Sequence, residues 1–147
     1  MIKKEINKRK VKIRHFFEPI FGFQVTLFVG TREEVTKYLR NSHKKNCSNK
    51  IPHEYHSNIP PEVQGFYTRI QSEDYEENIV WVNECSYEGH SIIAHETFHL
   101  TAYLLDSVGV KFDVDNHETH AYMYTYWIKT LTLAFNDMVR KDEDTVS

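Results

Sequence analysis

SIIAHETFHLTAYLLDSVG, residues 91–109, decides how the chain is read. Before it, apolar residues alternate or run together in short stretches. Within it, Ile92, Ile93, Leu100, Tyr103, Leu104 and Val108 recur at helical spacing. Gly109 stands where a glycine ends a helix. The stretch therefore predicts a helix over 90–108, with its apolar face inward. Residues 110–115 form a short connection in which Asp113, Asp115 or Asn116 can cap a second helix. That helix runs over 116–140, carrying Ala121, Tyr122, Trp127, Ile128, Leu131 and Phe135.

Upstream, VKIRHFF (11–17) and FGFQVTLFV (21–29) read as strands divided near Glu18-Pro19. Alternation is clear at Phe21, Phe23, Val25, Leu27 and Val29. Thr31-Arg32-Glu33-Glu34 fits a capping box. Val35, Tyr38 and Leu39 give the helix over 31–41 an apolar face. Residues 41–62 are polar and proline-broken, and read as a long loop of the kind that often carries function. Two further strands follow, over 65–70 and 78–83, with the acidic stretch Glu73 to Glu77 as the turn of a hairpin. The fold class is α+β: a small, mainly antiparallel sheet of about four strands packed against three helices. One domain spans 1–147, with a basic arm over 1–14 and a frayed tail over 141–147.

Composition narrows the function. The 147 residues contain 40% hydrophobic and 27% charged residues, which excludes a largely disordered chain. Apolar runs such as Ile79-Val80-Trp81-Val82 are far shorter than the ~20 residues a transmembrane helix needs. Two cysteines, Cys47 and Cys85, exclude a disulfide scaffold and an all-cysteine zinc site. No signal-peptide pattern opens the chain, so the expected location is the cytoplasm. Residues 1–14 hold seven Lys/Arg and one Glu, net +6; against a formal −3 overall, the other 133 residues carry −9. Such an arm can touch nucleic acid, but it lacks interleaved aromatic residues, and a solvated lead into an edge strand accounts for it more simply.

The chemistry sits in His95-Glu96-Thr97-Phe98-His99, an H-E-x-x-H string. Positions i and i+4 share a helix face, so both imidazoles can aim at one point. Zinc accepts nitrogen at ~2.0–2.1 Å in a tetrahedral shell. Glu96, rotated about 100° from His95, can reach a zinc-activated water without being a ligand. Random placement gives this string about once in 20 chains of this composition, so its setting matters. It lies mid-helix with apolar flanks, where polar residues need a purpose. A catalytic zinc needs a third protein ligand. Glu118, 19 residues after His99 in the first turn of the next helix, is the foremost candidate; His117, His120 and Asp115 are rivals.

H-E-x-x-H followed about twenty residues later by a Glu on the next helix resembles the gluzincin branch of zinc metallopeptidases. The likeness spans about residues 78–135. The short chain is similar to minimal single-domain members, including those of phages and mobile elements. The resemblance implies one zinc per chain on His95, His99 and Glu118, with Glu96 as general base. It also implies peptide binding by strand addition along 78–83. Two features depart from the family. His117-Glu118-Thr119-His120-Ala121-Tyr122 lacks the Asp of N-E-x-x-x-D, so another group must orient the first zinc histidine; Asp106, Asp113 and Asp115 are available. The oxyanion-stabilising group has no clear counterpart, with Tyr122, Tyr126 and His120 as candidates.

Other readings stand beside this one. The chain can be a metal-binding regulatory or interaction module, or a hydrolase of a non-peptide substrate. His43, Cys47, His53 and His56 can form a second metal site, although a polar surface loop explains them without one. Cys85 reads as a small buried residue rather than a nucleophile.

Overall fold

The structure is a computed structural model that describes residues 12–47 and 59–143. Its elements are β1 (Ile13–Phe17), β2 (Gln24–Gly30), α1 (Arg32–Asn46), β3 (Gly65–Gln71), β4 (Glu76–Asn83), α2 (Gly89–Ser107) and α3 (His117–Glu143). The four strands form one sheet in the order β1-β2-β4-β3. β1 pairs antiparallel with β2, and β3 with β4. β2 and β4 pair in parallel at the centre, with Leu27 opposite Val80 and Phe28 opposite Trp81. The expected α+β fold is thus present, and two of its three strand pairings are antiparallel.

Alternation sends β2 and β4 to two cores. Val25, Leu27, Val29, Val80 and Val82 face Ile93, Leu100 and Leu104 of α2 and Met123, Trp127 and Leu131 of α3. Phe28, Ile79 and Trp81, with Ile70, face Val35 and Leu39 of α1. The sheet is therefore covered on both sides. That is why the centre of β4 is a continuous apolar run instead of an alternating one. Among the described residues, no helix is long and apolar enough to cross a membrane.

Local chemistry sets most boundaries as read. The capping box forms in both directions: Thr31 accepts the Glu34 amide, and Glu34 accepts the Thr31 amide at 3.1 Å. Gly109 ends α2 with φ +84°, a conformation that costs glycine little.

Several boundaries differ from the sequence reading. β2 starts at Gln24 because buried Glu18 organises the preceding turn. Its carboxylate accepts the Ile20 and Phe21 amides, and its own amide donates to Phe23 O at 2.8 Å. α1 continues to Asn46, so the loop expected over 41–62 loses its first turn and a half to helix. Buried Glu77 is the cause: its carboxylate accepts hydroxyls from Tyr38, from Tyr75 and from Ser42, the last at 3.1 Å, which draws the second half of α1 onto β4. Burial and the hydrogen bond to Glu77 both push the Tyr38 phenol well above its usual pKa, so its hydroxyl remains a donor. The hairpin turn shrinks to Ser72–Tyr75, closed by Ser72 N–H to Tyr75 O at 2.8 Å, while Glu76 and Glu77 join β4. α3 runs on through residue 143, so 141–143 are helical rather than part of a frayed tail. The rest of that tail, residues 144–147, lies outside the described residues.

Of the basic arm, Lys12 pairs with Glu34 at 2.7 Å and Glu84 at 3.0 Å, and Arg14 pairs with Asp137. Both cations are engaged within the fold; residues 1–11 lie outside the described residues.

Candidate metal centre

α2 lies between two neighbours. Along one side runs β3, one of the two edge strands of the sheet. The expected peptide-binding strand, 78–83, is not an edge: β2 occupies its other side through the parallel pairing. The edge row beside α2 therefore belongs to β3. Gln64 O accepts the Asn83 amide, so Gln64, Phe66, Thr68 and Ile70 point their backbone groups toward β4. Gly65, Tyr67, Arg69 and Gln71 point theirs outward. Gly65 lets the strand come close to α2, since a Cβ there would stand 2.3 Å from Ile92 Cγ2 and 2.6 Å from the Trp81 carbonyl oxygen.

His95 and His99 are exposed on the outer face of α2. Their Nε2 atoms stand 3.2 Å apart, with the rings nearly perpendicular at 73°. Two nitrogens bound to one tetrahedral zinc at ~2.0–2.1 Å stand about 3.3–3.4 Å apart. The pair fits two neighbouring positions of such an ion.

Glu96 turns toward β3. Its side chain is only 13% exposed, against 70% for His95. Its Oε2 accepts the outward amide of Tyr67 at 2.7 Å. Its Oε1 stands 3.8 Å from His95 Nε2 and faces the histidine pair. Tyr67 is itself fixed. Its hydroxyl donates to Asn78 Oδ1 at 2.6 Å, and its ring lies 5.6 Å from that of Tyr103. Burial raises the Tyr67 phenol pKa well above its usual value, so the hydroxyl remains a donor at neutral pH.

Glu118 does not join this group. It lies in the first turn of α3, its side chain 91% exposed and 3.8 Å from His117 Nε2. Among the described residues, no group of three or more His, Cys, Asp or Glu is arranged to hold an ion. Side-chain facing accounts for this. The first turn of α3 lies beside Phe98, Thr101 and Ala102, with His117 and His120 turned toward the space between the helices. Glu118, between them in sequence, turns out to solvent. His117 donates from Nδ1 to Val114 O. Asp113 accepts the Asp115 and Asn116 amides, both at 2.9 Å, and so shapes the entry to α3.

On the other side of α2, toward α3, lies an apolar pocket of about 320 Å³. Phe98, Ala102, Phe112, Ala121 and Tyr124 form much of its wall, with Thr101, His117 and His120. Edge-to-face rings build it: Phe98 against Phe112 at 5.7 Å, Phe98 against Tyr124 at 6.2 Å, and Phe112 against His120 at 4.8 Å. Phe98 also packs against His99, with ring centroids 6.2 Å apart. His120 is 4% exposed and Thr101 2%. His120 Nδ1 bonds Asn116 O at 3.1 Å, but His120 Nε2 and Thr101 Oγ1 are buried without hydrogen-bond partners. Each such group costs about 1–3 kcal/mol until a partner arrives.

Sequence reasoning missed two features here. The Tyr67 amide belongs to the backbone and has no sequence signature. The pocket had a faint one, in an aromatic residue, Phe112, within a short polar connection. Two cysteine readings also change. Cys85 is exposed, because it follows β4 in a turn where its amide bonds Asn83 Oδ1 at 3.1 Å. Of the second metal group, Cys47 closes α1 by donating its amide to His43 O at 2.9 Å, while His53 and His56 lie outside the described residues.

Compared with protein-family models, curated proteins and solved structures, the chain finds no match in any of the three.

Proposed function

We propose that the protein is a zinc-dependent hydrolase that cleaves a peptide bond. The observation that carries this reading is the convergence of His95 and His99 Nε2 atoms at 3.2 Å, with Glu96 fixed beside them by the Tyr67 amide. His95 and His99 would hold the ion. Glu118 is proposed as third ligand on chemical grounds: it is an exposed carboxylate on the helix packed against α2, and a first-turn side chain there has room to swing. Zinc would act as a Lewis acid, polarising the substrate carbonyl and acidifying a water.

The chain's own groups divide the remaining work. Glu96 takes a proton from the attacking water and delivers it to the leaving amine. The Tyr67 amide holds one oxygen of that carboxylate and leaves the other facing the histidines. The outward backbone groups of Gly65 and Arg69, with the Tyr67 carbonyl, suit an extended chain added to the sheet. β3 thereby takes the role first assigned to 78–83. A cytoplasmic location belongs to the same reading and is supported by the two free thiols, Cys47 and Cys85.

Incubating the full chain with a mixture of unstructured peptides tests the proposal. Cleavage is expected with one equivalent of zinc, to stop with a chelator and to return on zinc addition. A zinc-loaded chain that cleaves no peptide would overturn the peptidase reading.

A further inference from the structure

We propose that the pocket between α2 and α3 receives a tyrosine side chain of the substrate, whose phenol O–H donates to His120 Nε2. This deepens the peptidase reading above and rests on it for the identity of the ligand as a substrate residue. Three observations converge.

The first is the direction of the missing hydrogen bond. Asn116 O is a carbonyl and only accepts, so His120 Nδ1 carries the ring proton. In the neutral ring, Nε2 is then a lone-pair acceptor, and it is buried without a donor. Thr101 Oγ1 lines the same pocket and is also buried without a partner. The fitting ligand therefore ends in a donor.

The second is the wall. Phe98, Phe112 and Tyr124 surround the space with edge-to-face rings, the arrangement into which another aromatic ring packs best. Ala102 and Ala121 keep it open. The lining has no carboxylate, so an ammonium group would be buried without a counter-charge. A neutral phenol meets both demands where a lysine side chain does not.

The third is position. Phe98 belongs to the motif and joins the pocket wall to His99. β3 and the pocket flank the histidine pair from opposite sides of α2. A peptide laid on β3 and crossing the pair can place one side chain in the pocket. Phe112, 60% exposed on the connection between the helices, stands edge-on over His120 and must shift to admit the hydroxyl.

The test is titration of the metal-free full chain with p-cresol, toluene and n-butylamine, followed by amide NMR shifts. p-Cresol is expected to bind about tenfold tighter than toluene, with shifts at Phe98, Thr101, Phe112 and His120. His120→Phe should erase that preference. Thr101→Val, a milder change, serves if His120→Phe does not fold, and should reduce it. Ala121→Leu should weaken both aromatic ligands. Equal binding of p-cresol and toluene, tighter binding of butylamine, or shifts confined to other regions would overturn the proposal. His95→Ala should leave p-cresol binding unchanged. Loss of the pocket inference and loss of the peptidase reading therefore give different results: the first appears in the cresol preference, the second in peptide cleavage.

Discussion

Glu96→Gln is expected to lower peptide hydrolysis roughly a hundred- to ten-thousand-fold while leaving zinc bound at one per chain. Gln has the size and shape of Glu, and its amide oxygen can accept the Tyr67 amide as Glu96 Oε2 does at 2.7 Å. The side chain should stay wedged between β3 and α2. What disappears is the lone pair that takes the proton from water. His95 and His99, whose Nε2 atoms define the metal position, are untouched. The measurement is kcat and KM alongside metal content. Loss of kcat with zinc retained supports the proposed role. Full activity in the zinc-bound variant would remove Glu96 from the chemistry, and loss of zinc would mean that its role is structural.

Trp81→Ala is expected to cost about 3–5 kcal/mol of folding stability. Trp81 is fully buried in β4 on the α1 side of the sheet, against Phe28, Val35 and Leu39. Its indole N–H donates to Gly30 O at 3.0 Å, so the substitution opens a cavity and also removes one of the two hydrogen bonds that carbonyl accepts, the Glu84 amide at 3.1 Å being the other. A domain of this size has a total stability of ~5–15 kcal/mol, so the loss is a large share. Urea denaturation should show a midpoint lower by roughly 2 M, taking a slope of about 2 kcal/mol per M. The histidine pair lies across the sheet on α2. Zinc affinity of the folded variant should therefore match wild type under conditions well below its unfolding midpoint. A loss below 1 kcal/mol would show that the α1-side core contributes little.

The features that were legible in the sequence are the local ones. The capping box needs residues three apart, and Thr31 and Glu34 declare it. The H-E-x-x-H geometry needs residues four apart on one helix, and the two imidazoles meet. Alternation along β2 and the β3–β4 hairpin are equally local. What escaped depends on contacts between distant segments. The parallel pairing of β2 with β4 joins strands about fifty residues apart, and it decides that β3, and not β4, forms the edge beside α2. The second half of α1 is polar, so hydrophobic period gives it no helical signal. Its helix is secured by Ser42 reaching Glu77, 35 residues away. Its basic final turn, His43, Lys44 and Lys45, was a local clue, since cations favour helix C-termini. Glu118 shows the same limit within the site. Sequence distance gives the number of residues between candidate ligands, whereas the way the first turn of α3 faces α2 decides which of them turn inward: His117 and His120 line the pocket, and Glu118 faces solvent.

The central claim is that His95 and His99 hold a zinc ion. Native mass spectrometry of the full chain, wild type and His95→Ala, reads it directly. One zinc per wild-type chain and none in the variant is the predicted result. A wild-type chain that takes up no metal even after zinc titration would contradict the claim.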